Sequence, residues 1–190
     1  MRVPLIDLSA QYNKIRAEID PAVAQVLASG RYVMGPEIQE FEKELGQYLG
    51  GKHVVGVTSG TDALLSAAMA VEVGLGTGKS FRCTRDAEVV TTAYSFFATP
   101  ETAVRLGARP VFCDIAEGSF NADVGDMLSR VGKNTVAMLP VHMFGLRMDV
   151  SQLVATGIPV IEDAAQTLVP GIADQSAAAT LSFFPTKNLG

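Results

Sequence analysis

Four short stretches of this chain carry residue types that could act together. Lys187 stands in SFFPTKNLG (182–190), behind two phenylalanines and a proline. An amine beside an apolar wall loses its proton more readily, because desolvation disfavours the ammonium form. A neutral amine is what carbonyl chemistry needs. Asp163, in EDAAQ, follows the apolar run IPVI. A carboxylate there needs a cation, a hydrogen-bonding network or a proton. A protonated pyridine nitrogen would be such a partner, and Gln166 could reach the same ligand. Glu162 points to the opposite side by strand alternation. Ser59-Gly60-Thr61 lies between the run VVGV and the helical stretch TDALLSAAMAV. Free amides at a helix start, two hydroxyls and a glycine suit a phosphate. Phe96, after EVVTT, could offer a stacking face to a planar ligand.

Each stretch has a plainer reading. Lys187 could be a solvated lysine, Ser59 or Thr61 an ordinary helix cap, and Asp163 a cap for a following helix. Aromatic residues near strand ends are mostly core. The combination is more selective than its parts. An anion site, an aromatic face, a strand-end carboxylate and a lysine match pyridoxal 5'-phosphate, whose phosphate, ring, ring nitrogen and aldehyde need those partners in turn.

The elements that must position these residues alternate. Apolar runs suited to buried strands occur at 54–57, 88–92, 109–115, 135–141, 158–163 and 180–184, with helical patterns near 61–73, 96–106, 123–131 and 149–155. Near-continuous apolar strands separated by helices predict an α/β, three-layer sandwich with a mostly parallel sheet covered on both faces. Ligands of such sheets bind outside the carboxyl ends of the strands. Two helices precede the first strand. Asp20-Pro21 reads as a cap and first residue of one helix, with Val23, Val26 and Leu27 on a face and Gly30 as its stop. Gly35-Pro36 opens the other. One of Phe96 and Phe97 is expected to face the cleft while the other packs inward.

The chain's 190 residues are enough for one sizeable core. Hydrophobic residues make up 48% and the net charge is −5 with no basic block, which argues against nucleic acid as a main partner. Cys83 and Cys113 form no CxxC pair or disulfide framework and there are two histidines, so no metal site is expected. No apolar run approaches the ~18 residues of a membrane span. The expectation is a soluble cytoplasmic protein without a membrane partner.

The motifs VPLIDLSAQY, GRYVMGPEIQEFE, TSGTDAL, AYSFFAT, PVFCDI, LPVHMFG, IPVIEDAAQ and SFFPTKNLG together resemble the DegT family of sugar aminotransferases, fold-type I enzymes that use pyridoxal phosphate. The resemblance covers nearly all of the chain. It implies that Lys187 binds the cofactor covalently and shuttles protons, that Asp163 pairs with the pyridine nitrogen and that Gln166 approaches the ring hydroxyl. It further implies that Phe96 stacks on the ring while Gly60, Thr61 and Ser182 hold the phosphate. Lysine rather than histidine at position 187 favours transamination over sugar dehydration. The implied substrates are a nucleotide-linked keto sugar and an amino-acid donor, glutamate, handled by a homodimer in the full-length form.

The same comparison shows departures. Family members are about twice this length, so residues 1–190 are expected to be a large domain that lacks the C-terminal small domain. Asp163 and Lys187 are 24 positions apart (187 − 163), a few fewer than in typical relatives. The segment 74–88, GLGTGKSFRCTRDAE, is longer than the usual turn and reads as a surface loop. Its GKS suggests a phosphate loop, but that motif needs glycine at 73, where Val73 stands. His142 reads as a packed or hydrogen-bonded strand-end residue, and His53 as exposed. A non-catalytic relative that keeps the fold is the rival reading.

Overall fold

A computed structural model describes residues 3–71 and 86–189. The segment 74–85, including Lys79 and Cys83, lies outside the described residues. The chain divides into two compact units, Met1–Gly56 with Leu189–Gly190, and Val57–Asn188.

The first unit is helical. Helix α1 runs from Leu8 to Ser29, capped by Asp7, whose side chain accepts from the Ala10 amide, and closed by Gly30 at φ 66°. The expected start at Asp20-Pro21 is therefore wrong, because Pro21 lies inside this helix. Asp20 caps nothing; its carboxylate accepts from the Tyr12 hydroxyl at 2.6 Å and from Arg16 Nε at 2.9 Å. Proline costs about 3 kcal/mol in a helix interior, which the Asp7 cap and the exposed Arg16–Asp20 pair offset only in part. Helix α2, Pro36–Tyr48, begins as expected with proline in its first turn.

The second unit holds the sheet. Strands β1 (Glu88–Thr92), β2 (Arg109–Cys113) and β3 (Thr135–Leu139) pair in parallel in the order β2-β1-β3. Strands β4 (Ile161–Asp163) and β5 (Ala178–Thr180) pair in parallel beside them. Parallel bridges Met138–Val160 and Val141–Asp163 join β3 to β4, so one surface runs β2-β1-β3-β4-β5. Each parallel neighbour needs a crossover; helices supply it for all but the β4–β5 pair, whose connecting residues 164–177 carry no helix. Helices α3 (Gly60–Ala70) and α4 (Ala98–Arg105) pack on one face; α5 (Val124–Ser129) and α6 (Ser151–Val154) lie on the other.

Strand alternation sorts the core into two layers. Val89, Ala137, Leu139 and Ile161 join Leu64 and Ala68 of α3 on the first face. Val90, Met138 and Val160 join Met127 and Leu153 on the second. The three-layer α/β architecture is the one expected from the alternating runs.

One expected strand is absent and several are shortened, 158–163 to Ile161–Asp163. Residues 54–57 carry no ladder, and Val55 and Val57 are exposed. The run expected at 180–184 is in β5 only at Thr180, leaving 181–184 outside the sheet. An apolar run becomes a strand only where a neighbour takes its backbone groups. Among the described residues, the three pairs Ile161–Ala178, Glu162–Ala179 and Asp163–Thr180 are the whole β4–β5 ladder.

Candidate active site

All the candidate residues lie in the second unit; Phe96, Asp163, Gln166, Ser182 and Lys187 follow strand ends, while Gly60 and Thr61 open α3 after a segment that forms no strand. Asp163 ends β4 and is buried, 3% exposed. Its Oδ2 accepts from the Thr99 hydroxyl at 2.7 Å and its Oδ1 from the Ala165 amide at 3.1 Å. No helix follows it, so the cap alternative fails; the Ala165 bond is a local turn of the kind aspartate makes to the backbone two residues on. Burial pushes its pKa up, and the bonds from Thr99 and Ala165 and the charge of Lys187 oppose that rise. Lys187 is thus brought close enough for its charge to act on Asp163.

The lysine's own setting differs from the expected apolar strand end. The ladder stops at Thr180, and Lys187 sits half-buried in a turn where its amide donates to the Phe184 carbonyl at 2.7 Å. Phe184 is 63% exposed. The turn, not the strand, presents the amine.

Gly60 and Ser182 meet. A Cβ on Gly60 would lie 2.9 Å from Ser182 Cβ and 3.2 Å from its Oγ. This close approach requires glycine at the first residue of α3. The preceding Ser59 is the N-cap; its Oγ accepts from the Asp62 amide at 3.1 Å and donates to Asp62 Oδ2 at 3.0 Å. Ser59 is thus occupied as a cap, while the Gly60–Ser182 approach is a separate feature of the same helix start.

Phe96 and Phe97 are each 69% exposed, so neither packs inward as expected. Helix α4 buries Ala98, Thr99, Thr102 and Ala103 instead, and the two rings precede that face. Thr61 and Gln166 are half-buried. Among the described residues, no side-chain hydrogen bond ties either of them to the rest of the set. His53 is exposed.

Two features escaped the sequence. Thr99 carried no signal, being one hydroxyl in a helix start 64 positions before Asp163. The other lies behind Asp163, on the opposite side of β4. There Glu162 Oε2 meets His142 Nε2 at 2.6 Å, and Oε1 accepts from Ala173 N at 3.0 Å and Ser176 Oγ at 2.5 Å. Burial opposes ionisation of Glu162, yet the bonds from His142, Ser176 and Ala173 hold its carboxyl below the usual value. His142 is fully buried and packed, as its position suggested.

Known proteins resemble the chain over nearly all of its length. The DegT/DnrJ/EryC1/StrS aminotransferase family matches residues 13–190. A pleiotropic regulatory protein of Geobacillus stearothermophilus is 38% identical, covering 100% of this chain and 51% of the relative. The UDP-2-acetamido-2-deoxy-3-oxo-D-glucuronate aminotransferase of Pseudomonas aeruginosa is 36% identical over 99% of this chain and 52% of its own. The crystal structure of NtdA from Bacillus subtilis with its cofactor PMP bound superposes with a TM-score of 0.86 at 29% identity, covering 98% of this chain and 42% of that one. The chain therefore spans about half the length of the curated relatives it matches. With a match of this extent and a fold of this likeness, the chain belongs to the DegT/DnrJ/EryC1/StrS aminotransferase family.

Proposed function

We propose that these residues form the cofactor-binding large domain of a pyridoxal-phosphate-dependent aminotransferase. It moves an amino group from an amino-acid donor, glutamate, onto the keto group of a nucleotide-linked sugar. The observation that carries this reading is Asp163. It is a buried carboxylate at a strand end, held by Thr99 and Ala165, with the Lys187 charge acting on it. The Pseudomonas relative's name supports a nucleotide-linked sugar as acceptor, and the cofactor held by NtdA supports the cofactor class.

The chain's residues fit that cofactor. The Gly60–Ser182 approach brings the Ser182 hydroxyl to the start of α3, a helix end suited to a phosphate, with Thr61 next in the chain. The exposed Phe96 ring offers a stacking face. In this reading Gln166 meets the ring hydroxyl. The bound cofactor supplies an electron sink for the carbanion that transamination requires. Asp163 holds a proton on the pyridine nitrogen, which keeps that sink effective. Lys187 holds the cofactor through Nζ and, when released, carries a proton at Nζ. In the same reading the enzyme is a cytoplasmic homodimer. Among the described residues no helix is long and apolar enough to cross a membrane.

The second reading, a non-catalytic relative, is favoured by the regulatory name of the Geobacillus protein. Titration with pyridoxal phosphate separates the two. A visible absorbance band that borohydride bleaches, present in the wild type and missing in Lys187→Ala, is expected. A protein that stays colourless at saturating cofactor overturns the enzymatic reading.

A further inference from the structure

The hydroxyl that holds Asp163 has a geometry of its own. Thr99 is fully buried in the first turn of α4, and its Oγ1 lies 2.7 Å from Asp163 Oδ2 and 2.9 Å from Ser95 Oγ. A threonine hydroxyl has one proton, and an ionised carboxylate can only accept. That proton therefore goes to Asp163, and Ser95 donates to Thr99. The result is an ordered chain, Ser95 to Thr99 to Asp163, running from a half-buried serine beside Phe96 to the carboxylate at the end of β4. The Ala165 amide occupies the other oxygen, so both oxygens of Asp163 already accept from a fixed donor.

We propose that Thr99, backed by Ser95, is a positioning residue that holds the Asp163 carboxylate ionised and aimed before any ring nitrogen arrives. The proposal rests on the cofactor reading of this site. Its physical basis is the low polarity around Asp163. A carboxylate 3% exposed is expensive to ionise unless donors replace its lost water. Hydrogen bonds to a charged group inside a protein are stronger than those between neutral groups. The charged side chain that acts on Asp163 is Lys187, from the turn after β5, and it favours ionisation; His142, from the segment after β3, accepts from the Met148 amide at Nδ1 and is neutral on the Glu162 side. Glu162, its neighbour in β4, is turned to the opposite face and bound there by His142, Ala173 and Ser176. Thr99 is the donor contributed by the helical layer, and its aim depends on α4 packing against the sheet.

The test has two readouts. In the cofactor-free chain, the side-chain carboxyl carbon of Asp163 is followed by NMR through a pH titration. Thr99→Val keeps the shape and removes the hydroxyl; it should raise the Asp163 midpoint by about one to two pH units, roughly ten- to hundredfold in proton affinity. Thr99→Ser should return the midpoint towards the wild type, and Ser95→Ala should raise it by less. A midpoint unchanged in folded Thr99→Val overturns the proposal. If Thr99→Val does not fold, an unchanged midpoint in Ser95→Ala does the same. The second readout is cofactor affinity, expected to fall about tenfold in Thr99→Val and to recover in Thr99→Ser. If the wild type takes up no pyridoxal phosphate, the cofactor reading fails while the carboxyl titration still decides the role of Thr99.

Discussion

His142 Nε2 lies 2.6 Å from Glu162 Oε2, and the tautomer of that histidine is fixed from its other side. The Met148 amide donates to Nδ1 at 3.0 Å, so Nδ1 must accept and Nε2 must carry the proton. A neutral imidazole therefore donates to a buried carboxylate, with both side chains almost wholly excluded from solvent. Glu162→Gln has no good replacement arrangement. Its amide nitrogen would face either His142 Nε2–H or the Ala173 and Ser176 donors. A loss of about 1.5–3 kcal/mol is expected, read as a lower unfolding midpoint in denaturant.

The two adjacent acids of β4 should give opposite pH responses. Glu162 is held below its ordinary value of 4.5. Its contribution to stability is fully present above that value and is lost as pH falls through the lowered one. Asp163 is raised above 3.8 by burial, so its contribution is fully present below 3.8 and is lost as pH rises through the raised value. Unfolding midpoints measured across the acid range should therefore lose part of their low-pH fall in Glu162→Gln. Asp163→Asn should lose part of the decline on the other side. Identical profiles in all three proteins would contradict the assignment.

Asp163→Asn should impair turnover more than folding. The asparagine oxygen can accept from the Ala165 amide, and the Thr99 hydroxyl can turn to accept from the new amide nitrogen, passing its proton to Ser95. The site stays satisfied, but a neutral amide no longer holds a proton on a pyridine nitrogen. Thermal unfolding close to wild type with a large drop in kcat is expected. A large stability loss with unchanged specific activity would instead assign Asp163 a structural role.

Gly60→Ala tests the phosphate end. The added methyl would lie 2.9 Å from Ser182 Cβ, which cannot swing aside as the tip of a long side chain could. Separating α3 from residue 182 should cost about 1–3 kcal/mol of stability. It should also weaken binding of pyridoxal phosphate more than binding of its unphosphorylated analogue. Equal loss for the two ligands would place the phosphate elsewhere.

Pro21→Ala restores a backbone donor in the interior of α1 at an exposed position. Proline there is less favourable than alanine by about 3 kcal/mol. Higher helical circular dichroism and a raised unfolding temperature are expected. A decrease in both would mean that the proline is needed for the path of the helix.

The sequence by itself determined the architecture of the second unit and the end of α1. Alternating apolar runs and helical patterns are local signals, and a two-sided parallel sheet is the arrangement that buries them. Gly30 and Pro36 act within one turn of the backbone and were legible for that reason. The start of α1 was not, because the Asp20-Pro21 pair has the form of a cap while the helix starts at the Asp7 cap and runs through it. At the candidate site, residue types and expected strand ends singled out Asp163, Lys187 and the Gly60 turn. Which of them meet was decided only by tertiary structure. The Gly60–Ser182 approach, the Thr99–Asp163 bond and the His142–Glu162 pair each join residues far apart in the chain. So did the length of β5 and the outward placement of Phe97, which depend on which backbone groups and helix faces find partners. Local sequence sets what a residue can offer; only the fold supplies the donor, the wall or the neighbour that receives it.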